Sequence, residues 1–359
     1  MDRSNGMHYA PQGKPSPVVR PGEFVFSAVG LDHGHINGMT NGLLEAGGTL
    51  KYVYDPDPEK VAAFLKAYPA AVPARSEGEV LSDPDTRMVA GAAVPADRAS
   101  LGMRVMESGK DYFTDKGPFT TLEQLAAAKE CVRRTGRKYM VYYSERLHVE
   151  GSILAGYLVD AGEIGRVIAV NGCGPHRLSA GTRPAWFFQK ERYGGILTDI
   201  GSHQIEQYLA YSGEEDAEVT SSRIANFAHP EHPELEDFGD CSLTGKNGAA
   251  GYFRVDWFTP DGLSTWGDGR VTIVGTKGFI EVRKYVDLAS GKPGGDHVYL
   301  VNGEGERYID AAGKTGFPFF GKLILDSLER TETAMTQAHA FKAAELCLLA
   351  EAKAIRIAP

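Results

Sequence analysis

Apolar residues first occur as a short continuous run. EFVFSAVG, residues 23–30, is rich in β-formers and closed by Gly30, the pattern of a strand buried on both faces. Helical spacing follows over residues 35–47, then the strand pattern TLKYVYD ending at Asp55. DPDPEKVAAFLKAYP opens the next helix, with prolines and acids in its first turn. The alternation continues through TRMVAGAAVP (strand), DRASLGMRVMESG (helix), DYFTDKG (strand), TLEQLAAAKECVRRTG (helix) and KYMVYYSER (strand). It predicts five parallel strands by residue 146, joined by right-handed helical crossovers.

Beyond residue 146 the pattern changes. One helix is expected near 150–162, the strand RVIAVNGCGP at 166–175, one helix near 196–212, and strand-rich chain to about residue 310. That segregation predicts an α+β domain on a large antiparallel or mixed sheet. TETAMTQAHAFKAAELCLLAEAKAIR, residues 331–356, has helical spacing without Gly or Pro and predicts one long amphipathic helix, with Met335 and Leu346 to Leu349 in the core. The expected organisation is a flexible arm at 1–21, an α/β nucleotide-binding domain at 22–146, and an α+β domain for substrate binding and oligomerisation at 147–359.

Composition narrows the class. A chain of 359 residues suits two domains. Its 42% hydrophobic and 24% charged residues are the balance of a globular protein. Net charge is −9, so no basic field exists for nucleic acid or anionic lipid. The cysteines, at 131, 173, 241 and 347, form no C-x-x-C pair; they read as reduced thiols of a cytoplasmic protein, not a zinc ribbon or disulfide scaffold. No apolar stretch reaches the roughly 18 residues a membrane span needs. The opening 22 residues have no apolar h-region and many Gly, Pro and Ser, so an arm is expected there and not a signal peptide.

Candidate chemistry begins with AVGLDHGHINGM, residues 28–39. A dinucleotide turn uses three glycines: for the bend, for close approach to pyrophosphate, and for helix packing. Only Gly30 is in place; Asp32 and His35 fill the other slots, with Gly34 and Gly38 nearby. On this stretch alone a cofactor turn and a plain Gly-rich loop stand level. Asp55 tips the balance, because an acid at the second strand's end accepts hydrogen bonds from the adenosine ribose and repels a 2′-phosphate, favouring NAD over NADP. YDPDPEK would equally serve as an Asp-Pro turn. The cofactor contacts expected are Gly30, Leu31, Asp32, His33, Gly34, His35, Asp55 and Pro95.

In YGGILTDIGSHQIEQYL, Asp199 and His203 are four apart, so on one helix they share a face and reach one substrate hydroxyl. Gly194 and Gly195 allow backbone to approach a ligand. Taken alone, a capping aspartate and a hydrogen-bonded histidine account for the pair better. HPEHPELED holds His229 and His232 near acids, but its prolines point to a solvated turn, and no metal site is expected.

These segments together resemble the Gfo/Idh/MocA family of nicotinamide-dependent oxidoreductases, which includes glucose-fructose oxidoreductase and inositol dehydrogenases. The likeness covers nearly the whole chain after the arm. Its most specific element is G-G-x-x-x-D-x-G-x-H, carried by Gly194, Gly195, Asp199, Gly201 and His203. FTDKGPF is similar to the family's Glu-Lys-Pro strand end, whose lysine lies by nicotinamide and substrate. That places Lys116 there, with Asp115 replacing glutamate and Gly117 preceding the proline.

The resemblance implies a Rossmann domain followed by an α+β domain, NAD as cofactor, and oxidation of a secondary alcohol of a sugar, sugar acid or polyol, by a homodimer or homotetramer. His203 would take the hydroxyl proton, Asp199 would orient the imidazole, and Lys116 would stabilise the charge developing on oxygen. Arg146 matches an arginine often found after the last nucleotide-domain strand, which implies a structural or substrate-adjacent role. For the substrate, His176, Arg177, Arg183, Trp186 and Tyr193 precede the catalytic segment, and Trp257, Trp266, Asp268 and Arg270 follow it. Indoles suit a pyranose face and arginines a carboxylate, so the carbohydrate is neutral or anionic. Two alternatives accompany this fold: a redox glycosidase that oxidises, eliminates and re-reduces, and a non-catalytic nucleotide-binding regulator. Joint retention of Lys116, Asp199 and His203 argues against the regulator, and no additional acid or base is identifiable for the elimination.

Overall fold

In the computed structural model of the protein, which describes residues 5–358, the opening apolar run is strand β1 (Val25–Val29). Then follow α1 (His35–Glu45), β2 (Thr49–Tyr54), α2 (Pro58–Ala67), β3 (Val72–Pro73), α3 (Glu77–Ser82), β4 (Thr86–Gly91), α4 (Pro95–Glu107), β5 (Asp111–Asp115), α5 (Leu122–Thr135) and β6 (Tyr139–Tyr142). The strands pair in parallel in the order β3-β2-β1-β4-β5-β6, a Rossmann sheet whose order reverses between β1 and β4. β5 and β6 are buried throughout; β6 is accordingly free of charged residues, while β5 carries Asp111 and Asp115 at its two ends. The sheet has six strands where five were expected, because β3 is two exposed residues and too short to show a period.

The helices start where local chemistry directs. Asp57 accepts from the Glu59 amide ahead of Pro58, and Thr121 accepts from the Gln124 amide. α5 stops at Gly136, whose φ of +64° suits the left-handed cap.

The next elements are α6 (Ser144–Leu147), α7 (Glu150–Asp160), β7 (Val167–Pro175), α8 (Lys190–Tyr193), α9 (Ile196–Asp199), α10 (Gly201–Ser212), β8 (Ala217–Ala225), β9 (Phe238–Gly245), β10 (Ala250–Asp256), β11 (Arg270–Gly275), β12 (Gly278–Arg283), β13 (His297–Asn302), β14 (Gly305–Asp310), α11 (Pro318–Glu329), α12 (Gln337–Lys353) and β15 (Ile355–Ile357). Nine strands make one mixed sheet, ordered β14-β13-β12-β11-β7-β10-β9-β8-β15. β10 pairs in parallel with β7, and β15 with β8; the other pairs are antiparallel. α10 packs on β7 and β10, where Gly251 leaves room for the Tyr208 ring.

Three expectations are corrected. The chain forms two compact units, and the division is not a single cut near residue 146: Gly316–Phe341 folds with Met7–Tyr142 around the parallel sheet, while residues 5–6, Tyr143–Thr315 and residues 342–358 form the mixed-sheet unit. Arg330 pairs with Asp111 at 2.6 Å, and Gln337 bonds the amide and carbonyl of Tyr139 at 2.8 and 2.6 Å. Helical periodicity does not say which sheet a helix will cover.

The arm is not loose over its described part; residues 1–4 of it lie outside the described residues. Asn41 donates to the carbonyls of Ala10 and Pro11, Gly13 donates to Glu45 at 2.8 Å, and the Ser16 and Val18 amides donate to the carbonyls of Glu45 and Ala46. Pro and Gly forbid regular structure without forbidding partners. Lastly, the terminal helix ends at Lys353 and the chain turns into β15, a three-residue edge strand hidden behind an alanine-rich run.

Candidate functional site

In the parallel-sheet unit Gly30 sits at φ +76°, and a β carbon there would lie 3.0 Å from the Ala93 side chain, so glycine is required for both reasons. The Asp55 carboxylate is taken up by this turn: it accepts from the Leu31 amide at 2.7 Å and the Asp57 amide at 2.9 Å. Asp32 points its charge aside, to Lys60 at 2.5 Å and the Val94 amide at 3.2 Å, just before Pro95 opens α4. Among the described residues the amides of Asp32 and Gly34 donate to nothing, which leaves two N–H groups at the start of α1 for an anion.

His33 and His35, in and beside the missing glycine slots, turn inward to Asp115. His35 Nδ1 lies 2.9 Å from Oδ1 and His33 Nδ1 3.3 Å from Oδ2; Arg98 reaches Oδ2 at 3.2 Å and the Lys116 amide reaches Oδ1 at 2.8 Å. Burial alone would raise the Asp115 carboxyl, yet His35, Arg98 and His33 hold it well below the usual range. Burial lowers His33, helped by His35, Lys116 and Arg98, so His33 is neutral at pH 7.

The ligand atoms of His33, His35 and Asp115 lie within 4.8 Å of one another, a metal-like spacing. The Arg98 guanidinium already supplies the cation: it is 1% exposed and also donates to the carbonyls of Ala93, Lys116 and Gly117. This knot ties the opening turn to the strand end that carries Lys116, which is itself buried. Nothing in the sequence singles out Arg98.

In the mixed-sheet unit Gly194 and Gly195 adopt φ +87° and +96°. At Gly195 the close approach is to protein, since a β carbon there would strike the Glu351 carboxylate. Glu236 accepts from the Ile196 amide at 2.9 Å and Glu351 from the Leu197 amide at 3.2 Å, so two carboxylates cap the start of α9. Lys190 bridges them, and Arg356 lies 3.3 Å from Glu236. Burial and the neighbouring Glu236 push the Glu351 carboxyl up to about 8 against the pull of Lys190. Tyr193, expected at the substrate, instead accepts from the Glu236 amide and donates to the Glu234 carbonyl.

The expected single helix at 196–212 is two. α9 ends at Asp199 and α10 starts at Gly201, with Ile200 between them in helical conformation (φ −76°, ψ −37°). Direction is kept: the Asp199 amide bonds the Gly195 carbonyl and the His203 amide the Ile200 carbonyl. Asp199 is half-buried and His203 buried, on successive turns.

Adjacent to Arg146 stands a residue sequence reasoning missed. Arg146 is paired with Glu206, with Nε 2.7 and 2.9 Å from its two oxygens, the structural one of the two roles expected for it. Glu145 faces the charged groups instead. Burial would raise its carboxyl, but Lys284, His203 and His176 bring it down to about 2. Neither Glu145 nor Lys284 belongs to a recognisable motif.

Of the other candidates, His176 is bonded to the Gly174 carbonyl at 3.1 Å, with the rings of Trp266 and Trp257 at 4.5 and 5.5 Å. Trp186 is half-buried against Phe187. Arg183 is enclosed, its guanidinium 4.5 Å from the Phe187 ring and 4.9 Å from the Trp257 ring, donating to the Leu178 carbonyl; burial lowers it to about 9. Arg177 binds three carbonyls of residues 260–265, and Arg270 pairs with Asp268. These arginines make packing and ion-pair contacts within the protein, the commoner role of such residues taken singly. His229 pairs with Asp237 at 3.0 Å and His232 stacks on Phe188 at 3.6 Å, so that turn is pinned and not merely solvated.

Residues 154–281 match the GFO/IDH/MocA C-terminal domain. The chain is 30% identical over 229 residues, 60% of its length, to a scyllo-inositol 2-dehydrogenase (NAD(+)) of Bacillus subtilis (strain 168). It spans 61% of that relative's length. A crystal structure from Erwinia carotovora atroseptica SCRI1043, of a candidate oxidoreductase, is 51% identical with a TM-score of 0.90, covering 94% of this chain and 100% of that one. Levoglucosan dehydrogenase in complex with NADH and L-sorbose shares the fold, with a TM-score of 0.74 at 18% identity over 92% of this chain and 97% of its own. No helix among the described residues is long and apolar enough to cross a membrane. From the parallel and mixed sheets, the matched C-terminal domain and a relative identical at 51% of positions along its whole length, the chain belongs to the Gfo/Idh/MocA family.

Proposed function

We propose that the protein is an NAD-dependent oxidoreductase that oxidises a secondary alcohol of a sugar or polyol. The observation that carries this is the placing of Asp199 and His203 on successive turns of one helical segment, with His203 buried and favouring the ionised form of the buried Glu145. The NAD(+)-dependent inositol dehydrogenase relative supports both the cofactor and the substrate class.

The opening turn fits the cofactor. Two open amides at the start of α1 suit a pyrophosphate, and Asp32, which would repel it, is paired with Lys60. Asp55 at the end of β2 keeps negative charge where a 2′-phosphate would sit, so NAD is preferred. The bound nicotinamide supplies a hydride acceptor. His203 takes the hydroxyl proton, Asp199 orients the imidazole, and Lys116 is the cation for the substrate oxygen. His176, with Trp257 and Trp266 beside it, contributes polar and aromatic contacts to the sugar. Assembly is proposed through the open face of the mixed sheet, where Tyr252 and Phe279 are exposed.

The test is His203→Ala. Turnover on the oxidised polyol should vanish while NAD affinity, measured by fluorescence titration, stays within about twofold of wild type. Near-normal turnover would refute the assignment.

A further inference from the structure

Glu145 and Lys284 form an ion pair hidden from solvent, their side chains 1% and 0% exposed and Nζ 2.6 Å from Oε2. Such a pair is seldom better for stability than apolar groups of the same volume, so packing does not explain it. The same Oε2 accepts from Gln204 Nε2 at 3.0 Å. Oε1 is equally buried, yet no donor among the described residues reaches it. Leaving a buried acceptor unmatched costs about 1–3 kcal/mol, and more when it is charged. A donor from a ligand removes that cost.

The surroundings indicate which donor. Gln204 directly follows His203 in α10, and His203 and His176 both lie near enough to stabilise charge on Glu145. The brace is built into the backbone. Gly172 and Gly174 alternate along β7 beneath Gln204, and a β carbon at either would crowd its amide. An ionised carboxylate accepts and never donates, so it selects an O–H and rejects an ether or a bare methylene.

We infer that Glu145 is a substrate-binding carboxylate whose Oε1 accepts the hydroxyl next to the one His203 deprotonates, so that the substrate is a vicinal diol within a sugar or polyol. This rests on the dehydrogenase assignment. Lys284 keeps the carboxylate ionised, Gln204 fixes its plane, and two neighbouring hydroxyls are divided between a base and an acceptor.

The test measures binding and turnover separately. A panel headed by scyllo-inositol and D-xylose identifies the polyol that wild type binds most tightly by calorimetry with NAD present. That polyol and its monodeoxy analogues are then compared on wild type and on the double variant Glu145→Leu with Lys284→Met, which removes both buried charges together so that neither is left unpaired. In wild type the analogue lacking the neighbouring hydroxyl should bind about 10–100-fold more weakly than the parent, the worth of a charged hydrogen bond. The double variant should lose that preference, with the weaker analogue's own affinity unchanged. A double variant that still discriminates, or that weakens parent and analogue equally, overturns the inference, as does a wild type that binds no polyol. Discrimination without NADH formation upholds Glu145 and sinks the dehydrogenase assignment; NADH formation without discrimination does the reverse.

Discussion

Replacing Asp115 with alanine should destabilise the parallel-sheet unit strongly, by an amount the structure allows to be worked out. The side chain is fully buried and receives His35 at 2.9 Å, His33 at 3.3 Å, Arg98 at 3.2 Å and the Lys116 amide at 2.8 Å. Removing it leaves the Arg98 guanidinium, 1% exposed, without a counter-charge. Breaking a buried pair from one side costs about 3–5 kcal/mol. At roughly 2–4 °C per kcal/mol for a unit of this size, the melting midpoint should fall by roughly 6–20 °C. The assay is thermal unfolding by circular dichroism with urea denaturation, on Asp115→Ala, Arg98→Met and the double variant. Because the double variant removes both charges, it should be more stable than the sum of the single losses predicts. An Asp115→Ala protein melting within about 1 °C of wild type, or strictly additive losses, would refute the reasoning.

Other outcomes follow from the same geometry. Glu351, raised to about 8 when folded, binds a proton that the unfolded chain releases near its ordinary 4.5, so its contribution is full below pH 4.5 and lost as pH rises through 8. Glu351→Gln should therefore flatten the fall in stability between pH 5.5 and 8.5, and an unchanged slope in urea unfolding would contradict this. His33 is held below its ordinary 6.5, so its contribution is present above pH 6.5 and lost as pH falls towards its folded value; His33→Asn should remove that acid-side loss, measured the same way. Gly30→Ala places a side chain at φ +76° against Ala93 and should weaken NAD binding at least about tenfold, with about 1–2 kcal/mol lost in stability; titration showing wild-type affinity would discount the turn as a cofactor site.

Much of the parallel sheet is legible because its strands are rich in β-formers between helical stretches: β1, β2, β4, β5 and β6 fall within the runs expected, although the run KYMVYYSER is strand only to Tyr142 and its end, residues 144–146, is in α6. β3 and β15 do not show, since two or three residues carry no period. The return of α11 to the parallel sheet is invisible because an apolar helical face names no partner, whereas the structure sets Phe320 against Gly42 of α1. At the site, the motif marks Asp199 and His203 as candidates, but adjacent residues of opposite charge defeat a linear reading: Arg146 pairs with Glu206, and Glu145, which no motif marks, is the carboxylate whose ionisation His203 favours. Lys60, the partner of Asp32, lies 28 residues away in the chain, and nothing in the sequence pairs the two. The arginines are open to either reading, substrate contact or packing, since only the folded structure shows that Arg183 lies against rings and carbonyls.

The central claim, net oxidation of a polyol by NAD, is tested most directly by stoichiometry. Enzyme and NAD are incubated with the sugar and inositol panel and with a glycoside carrying a reactive aglycone, while NADH absorbance, ketone product and free aglycone are followed together. The account predicts NADH accumulating one for one with ketone from at least one polyol, with NADP far less effective. Aglycone released over many turnovers without matching NADH, or no NADH from any polyol despite bound NAD, would contradict it.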